Sequence, residues 1–365
     1  DNDTAEKDEN PAMGWRALRL SLEREGLLKA QARALLEAAS GRQLSVMFPM
    51  VSEPWEFDAA KEIFEEQAQF LRGYFANEVQ PVLTPMAVDS GRPFPLILNQ
   101  TLNIGVFFGL KGRVITTSSA CTSGSQGIGY AFEAIRSGSQ DVMVAGGAEE
   151  LCPTEAAVFD TLYATSTCND EPECTPKPFD VERDGLVIGE GACTLILENR
   201  DHALARGATI YAEIVGFDTN ADGAHVTQPS SDMMQRVMEM ALADAGIEPG
   251  AIGYVSAHGT ATERGDIAES HATGRVLGDA VPVSSLKSYM GHTLGACGAL
   301  ETWLAVEFMN RGWFAPTINL NNVDPECAAL DYIQGGGREI DTEYVMNNNF
   351  AFGGINTSLI MRRHS

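Results

Sequence analysis

The chain has 365 residues, of which 44% are hydrophobic, and a formal net charge of −25 at pH 7. It is long enough to bury a large core and to form two domains or one large α/β unit. The negative charge repels phosphates, so we expect no nucleic-acid partner and no membrane partner.

Cysteine usage and the N-terminal residues indicate the compartment. The seven cysteines form no CxxC pair, and an odd number is typical of a reduced protein. The acidic start DNDTAEKDEN lacks the features of a signal peptide, and no apolar run is long enough to cross a bilayer. We therefore expect a cytoplasmic protein.

The N-terminal stretch predicts a helix–strand–helix segment. Apolar and charged residues alternate at helical spacing over 11–38 and again over 53–75, and 43–51 has the pattern of a buried strand. From about 76 to 94 the periodicity fades and prolines interrupt the chain, which indicates a junction.

After this junction strands and helices alternate, which predicts an α/β fold with helices covering central sheets. Predicted strands lie at 191–199, 209–217 and 252–260, the stretch 141–150 predicts a buried strand followed by a glycine turn, and a strand, glycine loop and strand close the chain at 347–363. Predicted helices lie at 124–137, 232–246, 266–277 and 296–311.

Cys121 lies among small residues where a β-like run, Val114 to Thr116, meets the first of these helices. A helix N-terminus offers partial positive charge and free N–H groups, which lower the pKa of a thiol and favour a nucleophilic thiolate. A lone cysteine in such a sequence is more often a buried structural thiol. The residues alone leave both interpretations open.

Two histidines have a setting that favours chemistry. His258 ends the strand-like run IGYVSA, and His292 follows Lys287 by five residues in a glycine-bearing loop before a helix. The stretch NNNFAFGGIN contains Phe350 and Phe352. It is either a tight turn between strands or a mobile loop with an aromatic gate and a backbone N–H donor.

Six motifs give the chain a resemblance to a known family. They are, in chain order, SSACTSG, DVMVAGGAEE, KPFDVERDGLVIGEGAC, HGTATERGD, KSYMGHTLGACGALE and NNNFAFGGIN. With these motifs, residues 92–365 resemble a β-ketoacyl-[acyl-carrier-protein] synthase, the decarboxylating condensing enzyme of fatty-acid and polyketide assembly. The Cys-His-His pattern favours the elongating class of that family.

The resemblance implies a catalytic role for five residues. Cys121 would carry the acyl chain as a thioester. His258 and His292 would stabilise the enolate that forms when a malonyl thioester loses carbon dioxide. Lys287 would tune the electrostatics of the histidines, and Glu301 would support these residues without contacting the substrate itself.

The oxyanion hole and the substrate contacts are implied in the same way. The backbone N–H groups of Cys121 and Phe352 would form the oxyanion hole, and the Phe352 ring would gate the acyl pocket. The implied substrate-binding residues are Thr260, Thr262, Phe350 and Gly353, and the two threonines would hydrogen-bond a phosphopantetheine arm.

The implied partners are an acyl carrier protein, its malonyl and acyl thioesters, and a second chain in a homodimer or ketosynthase-type dimer. No metal or redox cofactor is implied, because the phosphopantetheine belongs to the carrier protein. Arg183 in DVERDG is either part of a basic patch for the carrier or an exposed arginine without a role.

The implied fold is a thiolase-like layered αβαβα arrangement of two related halves. The first half, 92–207, carries the nucleophile, and we expect it to be incomplete because most of the family's N-terminal lead-in has no counterpart here. The second half, 208–365, contains both histidines, the lysine and the glycine loop.

A different family resembles the N-terminal piece. NPAMGWRALR, within 8–70, resembles part of the barrel domain of the phosphoenolpyruvate-protein phosphotransferase, in which the arginine matching Arg16 contacts substrate phosphate. The metal-binding carboxylates and catalytic cysteine of that family have no counterpart, so we expect no phosphotransfer. We assign 1–70 to this foreign segment and 71–91 to the junction.

The sequence leaves competing functions. The first is β-ketoacyl-[acyl-carrier-protein] synthase activity, a decarboxylative Claisen condensation through an acyl-Cys121 intermediate. The alternative is a non-catalytic truncated or chimeric chain that keeps the motifs without an assembled pocket. A weaker third hypothesis is phosphoenolpyruvate binding by the N-terminal segment.

Overall fold

The computed structural model describes residues 112–223 and 228–364, and a few positions nearer the N-terminus. The chain divides into two compact units, Asp1–Leu96 and Ile97–Ser365. The described positions of the first unit are all helical and fall inside the two predicted helices: 26, 28, 29, 32, 59–63, 65 and 66. The strand predicted at 43–51 and the junction at 71–91 lie outside the described residues.

The Ile97–Ser365 unit alternates strands and helices as predicted. Its described strands are β1 (Val142–Glu149), β2 (Gly191–Glu198), β3 (Ala212–Ala221), β4 (Ile252–Ser256), β5 (Pro282–Ser284), β6 (Trp313–Phe314), β7 (Asp331–Tyr332), β8 (Arg338–Glu339), β9 (Tyr344–Phe350) and β10 (Ile355–Arg363). Its described helices are α1 (Ser123–Arg136), α2 (Pro153–Thr161), α3 (Arg200–Ala205), α4 (Ser231–Ala245), α5 (Glu263–Leu277), α6 (Lys287–Met290) and α7 (Cys297–Arg311).

Six strands form one mixed sheet in the order β3–β10–β9–β4–β5–β7. β10 is antiparallel to β3 and β9, whereas β4 is parallel to β9 and to β5. Because β4 and β9 run parallel, their carboxyl ends lie at the same edge of the sheet. This edge therefore brings together His258, which follows β4, and the glycine loop, which follows β9.

Helices cover both faces of this sheet. α4 and α5 pack on one face in a core that includes Met238 and Ile360, and α1 and α7 pack on the other in a core that includes Ala305 and Leu359. A second sheet, β1 antiparallel to β2, packs beyond α7. The described residues thus form four successive layers of the predicted thiolase-like αβαβα fold, and the α/β prediction is confirmed.

Two local predictions are wrong. The run from Val114 to Thr116 forms no strand: Val114 is 91% exposed, and no described strand pairs with the run to satisfy its backbone groups. β1, predicted as a buried strand followed by a glycine turn, instead continues through both glycines to Glu149 and leaves Val142 and Val144 40% and 43% exposed. The described helices pack against only one face of the β1–β2 sheet, which accounts for this exposure.

The sequence analysis also missed α2, α3 and the shortest strands, whose few residues carry little periodicity. Within the part of the chain that the structure describes, no helix is both long enough and apolar enough to cross a bilayer.

Candidate active site

Cys121 lies in a tight turn at the start of α1. A single 3-10 turn, Ala120–Thr122, leads directly into the helix, and Ala120 has a φ of +52° in the left-handed region. The Cys121 side chain is 1% exposed and packs against Cys297 and Ala351. Backbone strain of this kind concentrates at functional turns.

Burial controls the protonation of this thiol. Desolvation raises the pKa of Cys121 to about 11, although the backbone N–H of Phe352 and the charge of Lys287 act in the opposite direction. Burial therefore outweighs the lowering of the thiol pKa that was expected at the helix N-terminus. The backbone N–H groups of Phe352 and of Cys121 itself both act to lower the pKa of the thiol, so the two predicted oxyanion-hole donors lie near the reactive atom.

Glycines allow α1 and α7 to meet closely behind the thiol. A Cβ at Gly124 would lie 2.8 Å from the carbonyl oxygen of Gly295, and a Cβ at Gly298 would lie 2.8 Å from the backbone nitrogen of Ser125. Side chains at these positions would collide with backbone atoms, so the close approach requires glycine.

His292 faces the thiol with a defined tautomer. Its Nε2 lies 3.0 Å from Cys121 Sγ, and its Nδ1 accepts a hydrogen bond from the Leu294 backbone N–H at 3.2 Å. Because Nδ1 is an acceptor, the neutral ring carries its proton on Nε2. His292 therefore presents an N–H donor beside the sulfur.

Different neighbours hold His258 in the same neutral tautomer. Lys287 Nζ lies 3.1 Å and Asn349 Nδ2 lies 3.5 Å from His258 Nδ1, and both groups are donors. The proton of His258 is therefore on Nε2 as well. Burial and the charge of Lys287 hold the pKa of both histidines well below 6.5, so both imidazoles are neutral.

A buried ion pair fixes this arrangement. Lys287 Nζ lies 2.5 Å from a carboxylate oxygen of Glu301, and Asn349 donates to the other oxygen at 2.7 Å. Burial lowers the pKa of Lys287, but the charge of Glu301, its hydrogen bond and the charges of Cys297 and Glu269 together outweigh this, and the net shift is upward. Lys287 therefore stays charged and acts on His258 as a donor. Sequence reasoning missed Asn349, although it belongs to the NNNFAFGGIN motif.

Two buried carboxylates on α5 hold the turn that carries His258. Glu269 accepts hydrogen bonds from the backbone N–H groups of His258 and Gly259, each at 2.7 Å, and Asp266 accepts one from Thr260 at 3.0 Å. Burial raises the pKa of Glu269 to about 8 and that of Asp266 to about 6. Both residues were missed, and their three-residue spacing on one predicted helix face was the available signal.

A cavity of about 290 Å³ connects the surface with His258. Its lining contains three of the predicted substrate-binding residues, Thr260, Thr262 and Phe350, and also Phe352, the predicted gate. The hydroxyl oxygens of the two threonines lie 2.9 Å apart and hydrogen-bond each other. The structure therefore places the predicted arm-binding residues on the cavity that leads to His258.

The glycine loop forms one wall of this cavity. Gly353 and Gly354 have φ values of +94° and +79°, and the Gly354 carbonyl accepts a bond from the Asp222 N–H at 2.7 Å. The Phe352 ring packs edge-on against Phe159, with ring centroids 5.6 Å apart. The loop is the predicted tight turn and also carries the predicted ring and N–H. Gly354, rather than the predicted Gly353, lines the cavity.

Arg183 is not a surface residue, and the suggestion that it docks a carrier protein is wrong. Its side chain is 2% exposed and lies 2.6 Å from a carboxylate oxygen of Asp324. It also donates to the backbone carbonyls of Thr262 and Glu263. Arg183 therefore braces the turn that enters α5.

The described residues include two groups with the chemistry of metal ligands. These groups are Cys121 with His258 and His292, and His258 with Cys297 and Glu301, and the ligand atoms of each lie within 4.8 Å of one another. Lys287 and Asn349 already occupy Glu301 and His258 Nδ1. The expectation that the protein uses no metal or cofactor stays a prediction.

A buried thiol flanked by two neutral imidazole donors and two backbone N–H groups has the chemistry of a thioester-condensing enzyme. Comparisons with known proteins specify the family. Residues 102–203 match the family model described as Beta-ketoacyl synthase, N-terminal domain, and residues 211–321 match Beta-ketoacyl synthase, C-terminal domain.

Curated relatives agree with these matches. The 3-oxoacyl-[acyl-carrier-protein] synthase 2 of Vibrio cholerae is 45% identical over 269 residues, which are 72% of this chain and 65% of that protein. The protein of the same name from Synechocystis is 37% identical over 310 residues, which are 83% of this chain and 72% of that protein. The chain therefore belongs to the β-ketoacyl synthase family. It spans slightly less than two thirds of the Vibrio protein.

Solved structures resemble the chain as well. A β-ketoacyl synthase from Burkholderia phymatum is 65% identical with a TM-score of 0.71, over 72% of this chain and 64% of that one. A structure described as a type II PKS acyl-carrier protein in complex with its ketosynthase bound to the hexaketide is 31% identical with a TM-score of 0.68. That likeness covers 92% of this chain and 76% of that one.

The N-terminal region has matches of its own. Residues 2–85 match a family model described as PEP-utilising enzyme, PEP-binding domain, in agreement with the second resemblance. Residues 66–117 match one described as Polyphosphate kinase middle domain. Arg16 lies outside the described residues.

Proposed function

We propose that the protein is a β-ketoacyl-[acyl-carrier-protein] synthase, which condenses an acyl thioester with malonyl-[acyl-carrier protein] and releases carbon dioxide. The supporting observation is the pair of neutral imidazoles, one of which presents its Nε2–H at 3.0 Å from Cys121 Sγ. Preorganised donors of this kind stabilise the negative charge that develops on an enolate oxygen.

The first half-reaction loads the enzyme. The Cys121 sulfur attacks the carbonyl carbon of the acyl thioester, the bond from that carbon to the carrier sulfur breaks, and the carrier thiol leaves with the Cys121 proton. The N–H groups of Phe352 and Cys121, which act to lower the thiol pKa in the free protein, would stabilise the oxyanion. The covalent intermediate divides one difficult step into two easier ones.

The second half-reaction forms the carbon–carbon bond. The malonyl thioester loses carbon dioxide, and the electron pair left behind forms an enolate whose oxygen accepts hydrogen bonds from His258 and His292. The enolate carbon attacks the acyl-Cys121 carbonyl, the carbon–sulfur bond breaks, and the Cys121 thiolate takes up a proton from solvent. Lys287 keeps the His258 donor aimed at the substrate through its contact with Nδ1.

An acyl carrier protein is the proposed partner of this site. The cavity past Thr260 and Thr262 offers a path for a phosphopantetheine arm, and a structurally similar ketosynthase is known in complex with its acyl-carrier protein. We also propose that the protein forms a homodimer or ketosynthase-type dimer and that it is cytoplasmic.

Intact-mass spectrometry tests the loading step. After incubation with a panel of acyl-[acyl-carrier-protein] donors, we expect a mass increase equal to one acyl group, mapped to Cys121 and missing in Cys121→Ala. A cooperatively unfolding protein that gains no adduct from any donor would support the non-catalytic alternative.

A further inference from the structure

The cavity that leads to His258 is lined by several acidic residues and one basic residue. Its carboxylates are Asp222, Glu263, Asp266 and Glu269. Arg264 is the single lysine or arginine among the lining residues that the structure describes. Because the chain carries a net charge of −25, a cationic side chain beside this acidic cavity is unusual for this protein.

Most of these carboxylates are occupied by donors of the protein itself. Asp266 and Glu269 accept the backbone bonds that hold the His258 turn. Asp222 accepts a bond from the Ser230 N–H at 2.9 Å and another from Asn356 Nδ2 at 2.6 Å. None of these three acids is paired with Arg264.

Arg264 is exposed and has no hydrogen-bond or ion-pair partner among the described residues. The backbone beneath it is fixed, because Arg183 donates to the carbonyls of Thr262 and Glu263. The guanidinium is therefore held near the cavity by a rigid turn, two residues beyond Thr262, while its own donors stay free for a ligand.

We propose that Arg264 binds the phosphate of the carrier-borne phosphopantetheine arm. This inference rests on the proposed function, and it makes Arg264 a residue that selects thioesters bearing that phosphate. A guanidinium matches phosphate oxygens with two parallel N–H donors. The inner end of the same arm would pass Thr260 and Thr262 and deliver the thioester to Cys121.

The test compares two thioesters that differ only in the phosphate, acyl-phosphopantetheine and acyl-pantetheine. The measurement is the second-order rate constant of Cys121 acylation, followed by intact mass. Arg264→Gln should lower this constant about tenfold for the phosphate-bearing thioester, the size expected for a lost hydrogen bond to a charged group, and leave the other unchanged. With acyl-[acyl-carrier protein] as the donor, Arg264→Gln should lower the acylation rate constant by at least the same factor.

Arg236→Gln is the matched control. It removes the same charge from a solvent-exposed arginine on α4 that lies outside the cavity lining, and whose one ion-pair partner among the described residues is Glu239, at 3.6 Å. We expect this variant to acylate like the parent protein with both thioesters. Added salt screens the exposed guanidinium. It should therefore reduce the difference in acylation rate constant between the parent protein and Arg264→Gln for the phosphate-bearing thioester.

An equal loss with both thioesters would overturn the inference and assign Arg264 a structural role, and no loss with either would also overturn it. Calorimetric binding of acyl-free phosphopantetheine and pantetheine repeats the comparison without any chemistry. A parent protein that binds phosphopantetheine better, and an Arg264→Gln variant that does not, would support the phosphate contact even if no thioester acylates Cys121. Failure of every thioester to acylate Cys121 would contradict the proposed function and not the phosphate contact.

Discussion

His292 Nε2 lies 3.0 Å from Cys121 Sγ, and the Leu294 N–H bonds the opposite ring nitrogen, so the imidazole donates its proton toward the sulfur. His258 is held in the same tautomer by Lys287. Two unrelated sets of neighbours thus produce two identical donors. A substrate oxygen placed between them meets hydrogen-bond donors without any charged imidazole.

Replacing His292 tests this assignment of the donor. We expect His292→Ala to lower the decarboxylation of a malonyl thioester about 100- to 1000-fold, the usual cost of removing one oxyanion donor, and to lower Cys121 acylation far less. His292→Gln keeps an N–H donor near the Nε2 position and should retain more activity than His292→Ala. Carbon dioxide release and intact mass measure the two steps, and an equal loss in both would contradict the assignment.

The thiol pKa predicts how Cys121 reacts with an alkylating reagent. Because burial raises this pKa to about 11, the thiolate fraction should grow about tenfold per pH unit between pH 7 and pH 10. The rate of iodoacetamide labelling at Cys121, resolved by peptide mass spectrometry, should rise with that slope and without a plateau. A plateau near pH 7 would show a thiolate already formed in the free protein.

Breaking the Lys287–Glu301 pair should destabilise the fold. Lys287→Met leaves the Glu301 carboxylate buried without its cation, at a cost of about 3 to 5 kcal/mol in the free energy of unfolding. The double variant Lys287→Met/Glu301→Leu removes both charges and should recover most of that loss. Urea unfolding of the parent protein, the single variant and the double variant measures the free energy of unfolding. A double variant that is less stable than the single variant would contradict the pairing.

The carboxyl group of Glu269 should make stability depend on pH. Burial raises its pKa from 4.5 to about 8, so between these values the folded protein holds a proton that the unfolded chain releases. The stabilisation is complete below pH 4.5 and is lost as the pH rises to 8, by up to about 1.4 kcal/mol per unit. Glu269→Gln should flatten the dependence of the melting temperature between pH 5 and pH 8. An unchanged slope would locate the titration elsewhere, with Asp266 as the nearest candidate.

Local patterns predicted much of the fold because helices such as α1 and α7 and strands such as β9 and β10 carry clear periodicity and glycine boundaries. Val114 shows where this fails, since a β-branched run becomes a strand only if a partner strand pairs with it. Whether such a partner lies alongside is a tertiary fact that the run itself does not contain.

The candidate site was predictable where the motif carried the chemistry, as with Cys121, His258 and His292. It was not predictable where burial decides the outcome. The buried environment raises the thiol pKa against the effect of the helix N-terminus, and Arg183 bonds carboxylates and carbonyls distant in sequence. The role of Asn349 likewise depends on contacts with two residues that are far away along the chain.

The tight approach of α1 to α7 limits where an acyl chain can go. At Gly124 and Gly298 even a single methyl group would collide with the opposite backbone, so a fatty tail attached to Cys121 has no room between these helices. Phe352, which lines the cavity, packs edge-on against Phe159 with ring centroids 5.6 Å apart. If Cys121 carries the acyl group as proposed, a long chain that extends past Phe352 has to separate these two rings, whereas a short one leaves them in contact.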